Sequence, residues 1–221
     1  MASQITQRLF FLRSELLYKK GIDKGEIKPF SEAIYNQMNN VYLGGVPISL
    51  LLKIALATNV VGKCYAESLY MFLCFPDSFL VRGDLKSISY ANNGSSGGHG
   101  WVEMNNRVYD PTLGYEFTRE LYYKIHGANN IRRYTKDDYI AQSPQNATLY
   151  QQMTTTTKRD IETTPIKQLE LHILVAGINS SLKNISDDNL KREWADYLES
   201  VGFNPMDNPA IKVLRQTSRR K

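Results

Sequence analysis

The sequence predicts an α+β protein, and three observations carry that reading. Apolar residues recur at helical spacing through the N-terminal quarter. The pattern changes to β alternation between Ser78 and Thr112, and helical periodicity returns after Ile166. Helices grouped before and after a block of strands argue against alternating β/α units. A chain of 221 residues has room for one sizeable domain with an appendage. Its 42% hydrophobic and 22% charged residues exclude a disordered, collagen-like or coiled-coil chain.

Taken in order, Ile5, Leu9, Leu12 and Leu16 share one face of a helix that should end near Gly21. Pro29 to Ile34 reads as a second helix start, with proline early in the first turn. A third helix begins near Pro47 and turns Leu50, Leu51, Ile54 and Ala55 inward, and Asn59 to Gly62 breaks it. The run from Cys64 to Phe75 is apolar enough for a buried helix, with Ala66, Leu69, Phe72 and Leu73 inside. Phe79 to Val81 is β-like and leads into Arg82-Gly83-Asp84. The Gly/Ser/Asn-rich stretch Asn92 to Gly98 reads as a loop, a lip over whatever lies beside it.

Gly100 to Glu103 and Arg107 to Tyr109 form a hairpin across Asn105-Asn106, residues that accept the positive φ a two-residue turn demands. Asp110-Pro111-Thr112 ends it, and Tyr-rich amphipathic stretches follow Gly114. Gln142 to Thr157 is polar and reads as a linker. Ile166 to Ile178 and Asp187 to Val201 read as two further helices. The predicted organisation is therefore 1–140 as the main domain with its N-terminal helices, 141–157 as a polar linker or loop, and 158–221 as a C-terminal helical region with a basic tail.

The formal net charge of +5 resides in that tail: Lys212, Arg215, Arg219, Arg220 and Lys221 have no acidic neighbour after Ile211, and the remainder is balanced. A nucleic-acid partner is thus not indicated except through the tail. No stretch has the length of a secretory h-region or a bilayer span, so a soluble, cytoplasmic protein is expected. Two cysteines and three histidines fall at no metal-ligand spacing; neither a metal nor a cofactor is implied. His172, in an apolar run, reads as a core residue, and His126, before Gly127, as a helix C-terminal charge.

One set of residues has a mechanism attached. Cys64 follows a breaker and opens a helix, where free backbone N–H groups and the helix dipole favour thiolate. Cys74, deep in the same apolar run, is an ordinary packed thiol. In the hairpin, Met104 should face Arg107, Glu103 face Val108, Val102 face Tyr109 and Trp101 face Asp110. His99, Trp101 and Asp110 then share one side, with Asp110 diagonal to His99. A histidine oriented by a carboxylate is equipped to deprotonate a thiol. A three-residue loop would instead put His99 and Asp110 on opposite faces.

Gly62-Lys63-Cys64, Val81-Arg82-Gly83, His99-Gly100-Trp101-Val102-Glu103 and Asp110-Pro111-Thr112 together resemble the transglutaminase-like branch of the papain-like cysteine protease superfamily. The resemblance covers residues 58 to 115. It implies a papain/transglutaminase-like core, a helix carrying the cysteine packed on an antiparallel sheet carrying the histidine and the acid, here with helical flanks at both ends. It further implies Cys64 as nucleophile, His99 as general base and acid, Asp110 as the orienting acid, and Trp101 as the aromatic that shields the site and contacts substrate. Gly100 stands where the family often has alanine, a change expected to be neutral. Asn59 is the nearest candidate for an oxyanion side chain.

The expected activity is a cysteine hydrolase, peptidase or amidase-like, acting through a thioester on a peptide or protein substrate. The alternatives are an inactive transglutaminase-like protein-interaction module, or an acyltransferase or deamidase using the same triad. Arylamine acetyltransferases share the Cys-His-Asp order, but their Arg-Gly-Gly lead-in is absent.

Overall fold

Asn105 and Asn106 take φ values of 51° and 60°, so the strands on either side meet in a two-residue turn. In this computed structural model the resulting ladder pairs Met104 with Arg107, Glu103 with Val108 and Val102 with Tyr109, the predicted register. The structure describes residues 2–58, 63–87, 97–157, 160, 175, 178–179, 182 and 185–202.

The described elements are α1 (Ala2–Asp23), β1 (Ile27–Pro29), α2 (Glu32–Met38), β2 (Tyr42–Leu43), β3 (Val46–Pro47), α3 (Ile48–Thr58), α4 (Cys64–Cys74), β4 (Phe79–Leu85), β5 (Gly97–Met104), β6 (Arg107–Asp110), β7 (Tyr115–Thr118), α5 (Arg119–His126), β8 (Asn129–Tyr134), α6 (Lys136–Ala141), α7 (Pro144–Thr155) and α8 (Asp188–Ser200). The fold class is α+β. Its main sheet has six strands in the order β1-β7-β6-β5-β4-β8, every neighbouring pair antiparallel.

Contacts divide the chain into two compact units, 1–34 with 61–148 and 35–60 with 149–221. The first holds the six-stranded sheet. One face buries Val81, Leu85, Trp101, Val108 and Phe117 beneath Tyr122 and Ile125 of α5 and Leu17 and Tyr18 of α1, as alternation along half-buried strands requires. On the other face α4 packs against β5 and β4. In the second unit Leu50 and Ile54 of α3 cluster with Leu190, Trp194 and Leu198 of α8. The Trp194 indole N–H donates to Asn179 Oδ1 at 2.8 Å. Asp187 caps α8 by accepting from the backbone N–H groups of Asn189 and Leu190.

Several expectations need correction. Leu16 is 67% exposed, and the described buried side of α1 runs through Leu17, Tyr18 and Gly21 instead. The helix also continues through Gly21 to Asp23, and the glycine serves close packing there, since a Cβ on it would sit 2.6 Å from both Ile27 and Leu121. Pro29 ends a strand, and α2 starts only at Glu32.

The run read as a linker at 141–157 contains α7, begun by Ser143, whose Oγ accepts from the Asn146 backbone N–H, and by Pro144 in the first turn. The two-unit division also differs from a simple 1–140 and 158–221 split, since residues 35–60 group with the C-terminal part. β4 runs through Arg82-Gly83-Asp84, where Gly83 makes room for the Trp101 ring and the Asn129 carbonyl. Most of the expected helix 166–178, His172, Asn59, the lip residues 92–96 and the basic tail lie outside the described residues. Among the described residues no helix is long and apolar enough to cross a membrane.

Candidate active site

Cys64 is the first residue of α4, where amides lacking an intrahelical acceptor point outward. Across from it, the start of β5 turns the side-chain-free positions Gly98 and Gly100 toward α4. A Cβ on Gly98 would lie 2.5 Å from the Tyr65 hydroxyl. One on Gly100 would lie 2.6 Å from Ser68 Oγ, 3.1 Å from Tyr65 Cδ1 and 3.3 Å from the Cys64 carbonyl oxygen. Gly98 and Gly100 therefore let the first turn of α4 lie directly on β5, and Gly97 and Gly98, which the sequence suggested as loop, are strand residues.

Gly100 is thus required where a neutral exchange with alanine was expected. Gly100→Ala should destabilise the protein by about 1–3 kcal/mol, the usual cost of overpacking, and should slow Cys64 alkylation by displacing α4. Urea denaturation and iodoacetamide kinetics check both effects. Gly100→Ala combined with Ser68→Gly should recover much of the stability, since the nearest clash is with Ser68 Oγ.

His99 and Asp110 lie at the end of the β5–β6 ladder, past its last pair, Val102 with Tyr109. There His99 Nε2–H donates to Asp110 Oδ2 at 2.9 Å. The side chains are nearly sealed from solvent, 3% and 1% exposed. Asp110 is held from three further directions. The Tyr122 hydroxyl donates to the same Oδ2 at 2.8 Å, and the backbone N–H groups of Thr112 and Leu113 donate to Oδ1 at 3.0 and 3.3 Å. Burial would raise its pKa, but the His99 charge and hydrogen bond, with Tyr122, hold it below the ordinary carboxylate value.

With Nε2 committed to the acid, Nδ1 is the ring nitrogen left for the sulfur. Cys64, half-buried, hydrogen-bonds His99, and its sulfur also receives the backbone N–H groups of Gly100 and Tyr65. Burial pushes the thiol pKa up, but the hydrogen bond and charge of His99, helped by those amides, bring it below its ordinary value. For the imidazole, desolvation works downward and is overcome by Asp110, with Cys64 adding to it; His99 rises to about 10. A thiolate facing an imidazolium is the favoured pairing. Cys74 contrasts with this, since burial pushes its thiol up to about 12.

Trp101 differs from expectation. It is completely buried, its ring stacks beside His99 at 6.2 Å between centroids, and its indole N–H donates to Glu103 Oε1 at 3.1 Å. It shields the imidazole from below and offers no surface to a substrate. His126 is likewise no surface charge: burial holds it down near 4, and its Nδ1 hydrogen-bonds Ser87 Oγ at 2.7 Å.

Several supporting residues escaped the sequence reading. Tyr122, on α5, has no sequence signature linking it to Asp110. Thr112 does, since an Asp two residues before an amide commonly accepts from it. Its hydroxyl also donates to Glu67 Oε2 at 2.8 Å and ties the Asp110 turn to α4. Burial raises the Glu67 pKa despite that bond.

The arrangement can hold a sulfur nucleophile deprotonated and return a proton from His99 to a leaving group. Among the described residues, no group of three or more His, Cys, Asp or Glu could hold a metal ion. Comparison with protein-family models, with curated proteins and with solved structures finds no match for this chain.

Proposed function

We propose that this chain is a cysteine hydrolase that cleaves amide bonds in a peptide or protein substrate through Cys64, His99 and Asp110, with a papain/transglutaminase-like core as its catalytic unit. The observation that carries the reading is the convergence of the helix-start thiol of Cys64 on His99, whose Nε2–H donates to Asp110 Oδ2 at 2.9 Å. The thiolate attacks the amide carbon. As the carbon–nitrogen bond breaks, His99 protonates the departing amine and a thioester remains on Cys64. His99, now neutral, takes a proton from water, whose oxygen attacks the thioester. The carboxylic acid leaves and the thiolate–imidazolium pair is restored. The backbone N–H groups facing the sulfur belong to the region where an oxyanion would develop. Free thiols at Cys64 and Cys74 suit a reducing, cytoplasmic compartment.

The test is the pH profile of alkylation. Thiolate is present above the lowered Cys64 pKa and imidazolium below the His99 value of about 10, so the reactive ion pair occupies the interval between them. Cys64 should react with iodoacetamide at pH values well below those an ordinary thiol needs. Cys74 should stay silent in the folded protein up to strongly alkaline pH. Peptide mapping by mass spectrometry separates the two sites. A Cys64 rate that rises only at or above the free-thiol range would refute the nucleophile.

A further inference from the structure

Arg82 is a cation with no assigned task on the sheet face that meets the first turn of α4. It lies on β4 opposite Gly100 of β5 and, on its other side, opposite Arg132 of β8. Directly paired residues share a sheet face, and the Gly100 position places that face toward Tyr65 and Ser68 of α4. The guanidinium is 5.4 Å from the centre of the Tyr65 ring and 5.8 Å from that of Tyr134. Tyr65, the residue after Cys64, is 42% exposed. Both rings lie within cation–π range of the guanidinium.

Two features of this arrangement are unbalanced. Like charges directly opposite each other on neighbouring strands are destabilising, and Arg82 faces Arg132. In addition, Arg82 Nε is shut off from solvent with no hydrogen-bond partner. Arg107 and Arg119 share that feature, but each lies against a glutamate, Glu116 at 3.2 Å and Glu103 at 3.3 Å. Among the described residues no carboxylate forms an ion pair with Arg82 or Arg132. Asp84, two positions along the same strand, is engaged by Asn130 Nδ2 at 2.7 Å. The sequence between Ser87 and Gly97 contains no Asp or Glu.

We propose that Arg82, flanked by Tyr65 and Tyr134 and supported by Arg132, is a carboxylate-binding subsite beside Cys64, which selects peptides bearing an anionic group near the bond to be cleaved. The subsite rests on the reading of Cys64 as the nucleophile. A guanidinium binds a carboxylate by donating two parallel N–H hydrogen bonds. The bound anion would also relieve the repulsion between the two arginines. That carboxylate is either an acidic side chain or a free chain terminus.

Two thiol-titrating disulfides of similar size test the subsite on the intact protein at neutral pH: neutral dithiodipyridine and dithiobis-nitrobenzoate, which carries a carboxylate on each ring. Arg82→Gln should lower the Cys64 rate with the anionic probe by about fivefold, the scale of one charge acting at several ångströms in a partly solvated site. It should leave the neutral-probe rate within about twofold. Arg132→Gln should act in the same direction and less strongly. Lys124→Gln, an equal loss of charge on α5, should change neither.

If Cys64 reacts rapidly with the neutral probe and the anionic rate ignores both arginine variants, the subsite is overturned and the nucleophile survives. If Cys64 reacts sluggishly with the neutral probe, the nucleophile falls and the subsite with it. The source is then read from protection of Cys64 against the neutral probe by acetylated tetraglycine as free acid, as amide, and as amide with one glycine replaced by glutamate. Protection by the free acid alone names a chain terminus, and protection by the glutamyl amide names an acidic side chain. No protection by either, relative to the uncharged amide, overturns a peptide carboxylate as the ligand.

Discussion

Asp110→Asn should slow acylation of Cys64 by an activated ester on the order of a thousandfold or more, the scale seen when an orienting carboxylate becomes an amide in a catalytic triad. The reason is specific to this site. Asp110 accepts on one oxygen from His99 and Tyr122 and on the other from the Thr112 and Leu113 amides. An asparagine amide has one acceptor oxygen and one donor nitrogen. Whichever way it turns, its NH₂ meets groups that donate. Turned toward His99, it forces the imidazole to offer the new amide a lone pair and to present its proton to the sulfur, the wrong tautomer for a base. Turned toward the Thr112 amide, it strains the turn.

The loss of the carboxylate also removes the largest influence raising His99, so its titration should fall well below about 10. Proton NMR of the imidazole measures that shift directly. The same charge has a stability signature. A histidine raised from 6.5 to about 10 stabilises the fold fully below the unfolded value, and that contribution is lost as pH rises through about 10. Wild-type protein should therefore weaken between neutral and alkaline pH, and Asp110→Asn should show a flatter alkaline limb. Unchanged acylation with an unshifted imidazole would remove Asp110 from its assigned role.

Glu103→Ala should lower stability by about 2–3 kcal/mol, the cost of leaving buried donors without their acceptor plus a small share for the exposed arginines. Glu103 is 1% exposed and serves as the acceptor for the Trp101 indole N–H, the Tyr123 hydroxyl and Arg133 Nε, with Arg119 at 3.3 Å. Arg119 and Arg133 are each 38% exposed and can turn to water when the carboxylate is gone. Their share of the loss is accordingly small. The cost falls mainly on the sealed Trp101 N–H, left with nothing to donate to. Glu103→Gln keeps an acceptor and should cost about 1–2 kcal/mol. Urea midpoints at constant slope separate the two variants, and a midpoint for Glu103→Ala close to wild type would contradict the network's weight. Trp101 flanks His99, so Cys64 reactivity should drop with it.

Glu103 illustrates how far local patterning reaches. Its place in the hairpin, opposite Val108, follows from alternation and from the two asparagines of the turn. Its buried partners come from α5 and β8, and no spacing in the sequence announces them. The same holds for Asp110: its diagonal relation to His99 was legible from the register, whereas Tyr122 was not. Trp101 was misjudged in the same way, because alternation assigns a residue to a side of the sheet without saying whether a helix covers that side. Here α5 and α1 do. β1 and β7 were missed because strands of three and four residues have too few positions for a period to register; β7 forms by pairing with β6, and β1 adds to it at the sheet edge.

What could be read from residues alone was settled within a dozen positions: the helix that starts at Cys64, the tight turn, the strand register, and hence which side chains are neighbours on one ladder. Such features depend on backbone preferences and on a repeat of two or 3.6, both local in origin. Folding contributed the approach of α4 to a glycine strand, closely enough for the sulfur to meet His99 and the Gly100 amide. It also brought an arginine pair to the same turn, with no carboxylate paired to it among the described residues. Contacts between distant segments depend on how whole faces fill against one another, and a single segment holds no record of the surface it will meet.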